Sequence, residues 1–234
     1  LQIGEKNTFI GGGTGSIGAG SGTSSGNNNT AIGYLSGAVM NTVNNTFIGC
    51  ETGRNTIGNL TTQGVSNVFV GTTAGYTNTY GSYCTSIGHN AGYLSTTANH
   101  NVNVGFETGY AFTTGIKNVS LGNYSLRLNQ TGDKNTSIGY KAGYSSTGDS
   151  NTFIGYQAGY ANTSGTNNII AGFQAGVGGA DPEVTSITNM TGSYNIFLGN
   201  KSGYQNTTGL RNTFLGYQTG YSNTSGTRNI FMGD

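Results

Sequence analysis

One mark recurs along the chain: an apolar residue followed directly by glycine, at Gly11, Gly33, Gly49, Gly71, Gly88, Gly105, Gly122, Gly139, Gly155, Gly172, Gly199, Gly216 and Gly233. The intervals are 22, 16, 22, 17, 17, 17, 17, 16, 17, 27, 17 and 17 residues, so the unit is 17 with three insertions. Aligned on that glycine, the residue before it is apolar in all thirteen copies, from Ile10 to Met232. Four residues before it stands Asn in every copy but one, where Cys84 replaces it; four after it stands Gly in every full copy but one, where Leu126 replaces it. Internal periodicity of this kind marks a stack of identical small units. Seventeen residues are too few for a helix pair, and no apolar 3.6-residue spacing is visible. The pattern therefore predicts an all-β parallel solenoid, a β-roll of about thirteen 17-residue coils, each with two strands of about five residues and two turns. Coils stacked at about 4.8 Å would extend roughly 60 Å.

Within the first strand, Asn-Thr-x-apolar, alternation places positions three and one before the marker glycine on one side and position two on the other. The apolar residue at position one predicts that this side faces the core, with Leu121 and Ile138 buried. Position two then points outward. It carries Phe9, Phe47, Phe69, Phe153, Ile170, Phe197, Phe214 and Phe231, interrupted by Ser86, Asn103, Ser120 and Ser137. An outward column of this kind exceeds what a soluble monomer leaves exposed, so these residues are expected to line a subunit interface with a polar waist. The alternative is that the two sides are exchanged and the Phe column is the core. The repeated Asn is expected to form a side-chain ladder from coil to coil, as stacked amides do.

Composition sharpens the class. The 234 residues hold 43 Gly, one Pro and no Trp, with 7% charged residues, 11% aromatics and a formal charge of +1. Order is expected, because disordered chains combine high net charge with few aromatics. There is no basic footprint for nucleic acid and no polybasic stretch for an anionic membrane. No apolar run is long enough to span a bilayer. The first residue is Leu1 and no signal peptide opens the sequence, which reads as a fragment of a longer fibrous protein, with residues 1–234 one repeat domain and 177–194 an inserted loop.

Two copies, Asn135-Thr-Ser-Ile-Gly-Tyr-Lys-Ala142 and Asn118-Val-Ser-Leu-Gly-Asn-Tyr-Ser125, resemble the head repeats of trimeric autotransporter adhesins of the YadA type. Asn151-Thr-Phe-Ile-Gly-Tyr-Gln-Ala-Gly159 also looks like the repeats of tail-fibre-type proteins. The resemblance covers nearly the whole chain and implies a left-handed β-roll, homotrimeric and extracellular at a cell surface, although the adhesin unit is shorter than this one. Fold analogy of this kind carries architecture further than function.

Motifs for chemistry are sparse. Gly13-Thr-Gly-Ser-Ile-Gly18 matches a dinucleotide fingerprint, but Ala19 to Asn29 is Gly-, Ser- and Asn-rich and supplies no helix N-terminus for a pyrophosphate. Asp133 and Asp149 fall at nearly equal phase on successive coils; they read as solvated turn residues rather than a glycosidase pair. His89 and His100 have no Cys, Asp or Glu at ligand spacing. Cys50 and Cys84 lie two coils apart, about 9 to 10 Å by stacking and beyond disulfide reach. No cofactor or metal is implied, and the chain does not read as an enzyme.

Two features are candidates for contact with a partner. Tyr stands five residues after the marker glycine at Tyr76, Tyr93, Tyr110, Tyr144, Tyr160, Tyr204 and Tyr221; such a column either stacks on sugars or covers neighbouring backbone. The inserted loop carries the sole proline with Asp181 and Glu183, and projecting loops are where recognition concentrates. The expected function is a structural or adhesive segment of an extracellular fibre or adhesin, self-associated and in contact with a host surface or glycan. The alternatives are a phage-type tail fibre or spike segment and an ice-binding or carbohydrate-binding solenoid. Ice binding calls for a regular Thr face, and Thr stands three before the glycine in seven of thirteen copies, with Val or Ile elsewhere.

Overall fold

The computed structural model describes residues 5–15, 26–58, 62–179 and 189–233. It is a parallel β-solenoid in two compact units, Leu1–Lys117 and Asn118–Asp234. The first unit carries β1 (Thr8–Ile10), β2 (Thr30–Ile32), β3 (Thr46–Ile48), β4 (Val68–Val70), β5 (Thr85–Ile87) and β6 (Val102–Val104). The second carries β7 (Val119–Leu121), β8 (Thr136–Ile138), β9 (Thr152–Ile154), β10 (Ile169–Ala171), β11 (Ile196–Leu198), β12 (Thr213–Leu215) and β13 (Ile230–Met232). Within each unit successive strands pair in parallel and in register, so that Phe47 lies beside Phe69 and Phe197 beside Phe214. No helix occurs among the described residues.

Each coil holds one strand of three residues rather than two of five. The rest is turn, yet it is bonded to the next coil as regularly as the strand is. Gly53 N–H donates to the Ala74 carbonyl, Gly75 N–H to Ala91, Gly143 N–H to Ala158 and Gly203 N–H to Thr219, each at 2.9 Å. Two glycines per coil make this possible. The marker glycine has φ between 117° and 139° in all thirteen coils, and a Cβ on Gly71 would sit 2.6 Å from the carbonyl oxygen of Gly88 in the next coil. The glycine four residues on adopts a left-handed conformation, and a Cβ on Gly53 would sit 2.8 Å from the ring of Phe47. Only glycine satisfies both conditions without strain.

That second contact settles which side is inside. Phe47, Phe69, Phe153, Ile170, Phe197 and Phe214 are buried within their own chain, and Phe9 is half-buried. The column expected at a subunit interface is therefore the core, and a side chain enclosed by its own coil does not meet a neighbouring subunit. Phe231, in the last strand, is 43% exposed. The residue before each marker glycine, expected inside, lies on the outer side of the sheet. Leu121 is half-buried, Ile138 is exposed and Ile154 is 43% exposed. The physical reason is width: a coil this short encloses one large side chain per layer, and position two supplies it.

Where position two is small, bulk enters from the opposite wall. Ala31 is accompanied by buried Met40 in one apolar cluster. Asn103 and Phe112, both buried, lie together against Gly109. In the coil of Ser120, the second glycine is replaced by Leu126, buried and held at φ 47°. Phe with Gly, and Ser with Leu, are alternative fillings of one space. A leucine in the left-handed region costs about 1 kcal/mol, which its burial offsets.

The Asn ladder is present and buried. Asn135 donates its backbone N–H and Nδ2 to Asn118 Oδ1 at 2.9 and 3.1 Å, and Nδ2 also donates to the Gly148 carbonyl at 2.9 Å. Asn151, Asn195 and Asn212 repeat this pattern on their own neighbours. Each amide thus ties one coil to the next and also bridges its own coil, as a buried polar group must to avoid a desolvation penalty.

Two outcomes test this assignment of sides. Phe153→Ser should lower unfolding stability by about 3 to 5 kcal/mol, whereas Ile154→Ser, one residue on, should cost under about 1 kcal/mol; equal shifts of the urea midpoint would reverse it. Ser120→Phe alone should destabilise by about 1 to 3 kcal/mol through overpacking against Leu126. Combining it with Leu126→Gly should recover most of that loss, read as a coupling energy in a double-mutant cycle.

Candidate functional site

With the Phe column inside, the outer side of the sheet consists of two rows. One, three residues before the marker glycine, holds only Thr, Val and Ile; the other, immediately before it, holds Ile, Val, Leu, Ala and Met. Neither row contains a charged residue and none of their members is buried. β-Branched residues favour a pleated surface and give it even height. The result is a regular apolar face within each unit. Ile48 and Ile87 in the first unit and Ile138, Ile154 and Leu215 in the second are among its exposed members.

The tyrosines five residues after the marker glycine form the expected column. Tyr76, Tyr93 and Tyr110 stack with centroids 5.1 and 5.2 Å apart and planes within 8°. Tyr144 stacks on Tyr160 at 5.1 Å and Tyr204 on Tyr221 at 4.9 Å. These rings cover one another's faces, so inside the column they offer edges to solvent and not the open faces that sugar stacking uses. Tyr160 is buried and packs with Ala161 and Val177. Cations close the columns: Arg54 donates from Nη1 to Tyr76 Oη at 2.6 Å, and the Arg127 guanidinium lies 6.0 Å from the Tyr144 ring. Burial pushes the phenols of Tyr93 and Tyr160 above their ordinary value.

A second aromatic column runs through the residue after the marker glycine. His89 stacks on Phe106 at 5.3 Å in the first unit; in the second, Tyr140 stacks on Tyr156 at 5.3 Å and Tyr156 on Phe173 at 5.2 Å. Its signal lies in the sequence, where Tyr, Phe or His follows the marker glycine at Tyr34, His89, Phe106, Tyr140, Tyr156, Phe173 and Tyr217. Between the two columns in the second unit runs a polar track of Lys141, Gln157 and Gln174. Gln157 is buried and accepts from Gln174 Nε2 at 2.9 Å. The Lys141 ammonium lies 5.3 Å from the Tyr140 ring and 6.0 Å from that of Tyr144, bridging both columns.

The remaining candidates do not assemble. Asp149 Oδ1 accepts the Asp133 N–H at 2.8 Å on an exposed turn, a local bond rather than a carboxylate pair around a substrate. His100 stacks on Tyr83 at 5.0 Å, in a different column from His89. Among the described residues no group of three His, Cys, Asp or Glu is placed to hold a metal ion. Asp181, Glu183 and half of the inserted loop, like the end of the Gly13–Gly18 motif, lie outside the described residues.

Both cysteines are free, Cys50 exposed and Cys84 buried. Cys84 occupies an Asn position. Its N–H donates to Asn67 Oδ1 at 2.9 Å, and its Sγ lies 3.2 Å from the Ala98 carbonyl, the site that the amide of Asn67 reaches at Gly81. Burial pushes its thiol up to about 11. Because the unfolded chain loses that proton first, stability is intact below about pH 9 and falls by about 2 to 3 kcal/mol between pH 9 and 11. A thiol reagent at neutral pH should therefore modify one cysteine in the native protein and two after denaturation. Cys84→Asn should complete the ladder, raise the melting temperature and flatten the alkaline limb of the stability profile. Two fast-reacting native thiols, or a lower melting temperature in the variant, would contradict the placement of Cys84. Comparison of the chain with protein-family models, with curated proteins and with solved structures finds no match, and the surfaces are read from their own chemistry.

Proposed function

We propose that the chain is a structural and adhesive segment of an extracellular fibre whose subunits associate, as a homotrimer of left-handed coils, through the charge-free outer face of the sheet. The observation that carries this reading is the face itself. Nine basic and eight acidic residues are distributed over the chain, yet neither outer row receives one. A contiguous apolar surface of that kind marks an association site, and a repeating face presented to a symmetric copy gives the same contact at every coil. Each half-exposed Ile or Leu removed from water would contribute about 1 kcal/mol, and many coils sum to stable assembly. The subunit contact thus moves from the Phe column to residues such as Ile138, Ile154 and Leu215. Covalently continuous coils with bonded turns supply rigidity and reach. A tail-fibre or spike segment would use the same physics.

A second reading of the same face follows from the seven coils that place Thr and Ile or Leu outward together, as at Thr136 with Ile138 and Thr152 with Ile154. Hydroxyls and methyls repeated at coil spacing on an even surface can order water in the manner of an ice-binding face. That activity requires the face to be free.

Light scattering separates the two. The fibre reading expects a native mass several times 24.0 kDa, and Ile138→Lys with Ile154→Lys should release monomers that keep the native β-sheet circular dichroism, because both side chains point outward. A native monomer that shows thermal hysteresis, abolished by Thr152→Lys, would replace the fibre reading with ice binding. A native monomer without hysteresis would defeat both.

A further inference from the structure

We infer that the stacked tyrosines are sites of oxidative cross-linking, at which neighbouring phenols of one chain are joined carbon to carbon by a peroxide-consuming one-electron oxidant of the haem peroxidase class. The reaction lies within a single chain and is independent of the association proposed above. In the first unit Tyr76, Tyr93 and Tyr110 stand in successive coils with centroids 5.1 and 5.2 Å apart and planes within 8°. In the second, Tyr204 and Tyr221 lie 4.9 Å apart with their planes 4° from parallel. The backbone beside each pair fixes the register: Thr77 N–H donates to the Tyr93 carbonyl at 3.0 Å, and Gln205 N–H to the Tyr221 carbonyl at 2.9 Å. All five rings are half-buried, so the coils hold them in place while part of each ring meets solvent.

Spacing alone does not single these rings out, since Phe197 stacks on Phe214 at 5.0 Å in the core. The phenol hydroxyl does. Loss of one electron and the hydroxyl proton leaves a phenoxyl radical whose unpaired electron is shared between Oη and the two ring carbons beside it, Cε1 and Cε2. Two such radicals on adjacent rings pair their electrons in a new bond between Cε carbons. Each of those carbons then gives up its proton and each oxygen regains one, which restores both phenols. The pair loses two hydrogen atoms in all, and one molecule of hydrogen peroxide takes them up to become two of water. Phenylalanine has no hydroxyl from which to begin. Because the second ring is already stacked on the first, the radicals meet without diffusion. Each bond closes a loop between residues 17 apart in the unfolded chain, which restricts that chain and favours the folded stack.

The test is light-driven oxidation of the native chain with tris(bipyridyl)ruthenium and persulfate, followed by proteolysis and mass spectrometry of the joined peptides. Products should link Tyr76 to Tyr93, Tyr93 to Tyr110 and Tyr204 to Tyr221 within chains that still run at 24.0 kDa under denaturing conditions. The yield per chain should be unchanged on dilution. It should fall several-fold in urea, where a flexible loop leaves the partner ring at an effective concentration of about millimolar. Tyr221→Phe keeps the stacked ring and should abolish the Tyr204 product while leaving the link between Tyr76 and Tyr93 intact. Tyr34, Tyr194 and Tyr217 supply the contrast, since each is more than half exposed and, among the described residues, none has a tyrosine stacked on it. Exposure alone would direct coupling to those three, between chains. Products confined to them, a yield that falls with dilution, or an equal intrachain yield in urea would overturn the inference.

Discussion

Translation by one coil is the constraint on which everything else in this protein depends. Backbone hydrogen bonds hold each turn, as well as each strand, against the next at close to the β-sheet spacing of about 4.8 Å, so every residue stands directly over its counterpart. A side chain that can stack on a copy of itself is therefore favoured. An amide can, because it carries a donor and an acceptor; Asn118, Asn135 and Asn151 each accept from the next coil and donate within their own. An aromatic ring can, face to face, as Phe197 does on Phe214 at 5.0 Å. A charge does so at a cost, since like charges at that distance repel, and the stacked pair Asp133 and Asp149 lies on an exposed turn.

The same constraint makes the core one residue thick. A Phe ring at position two occupies the space that a Cβ on the second glycine would need, so the two residues are chosen together. The Ser120 and Leu126 pair inverts the choice and keeps the volume. Ser137, in the next coil, has a buried hydroxyl without a hydrogen-bond partner. Polar residues at this waist therefore trade some desolvation cost for room that Leu126 and Phe153 enter from adjacent layers, since both approach Gly143. Packing here is a property of columns and their diagonals rather than of single residues.

Much of this was legible in the sequence. Thirteen marker glycines located the thirteen strands, the Asn column announced its ladder, and the distance between Cys50 and Cys84 excluded a disulfide. The side of the sheet that faces inward was not legible from hydropathy, because two apolar rows lie on one side and one on the other, and counting favoured the pair. The deciding information was steric. In seven of the eleven coils with glycine at the second position, a large side chain at position two, Phe or Ile170, projects toward that glycine and leaves no room for a Cβ. The exceptions held the key, since Leu126 breaks the glycine column in a coil where Ser120 breaks the Phe column. The face of each tyrosine was illegible for a related reason: sequence shows that residues share a column, whereas only coordinates show that their rings cover one another.

Enclosing the large residues leaves the outer surface free to vary without cost to the fold, and the protein uses that freedom in two distinct ways. The sheet face is kept free of charge and even in height across its rows, a condition that nothing in the core demands, since Ile154 and its counterparts contribute little to the interior. The region between the aromatic columns is kept polar and is organised by Gln157, a buried amide that no apolar packing argument requires. Selection on these two surfaces is separable because they lie at different positions of the repeat, on opposite sides of the marker glycine. A solenoid that associates through the sheet face multiplies that contact with every coil added, and avidity of that kind grows without any single strong site.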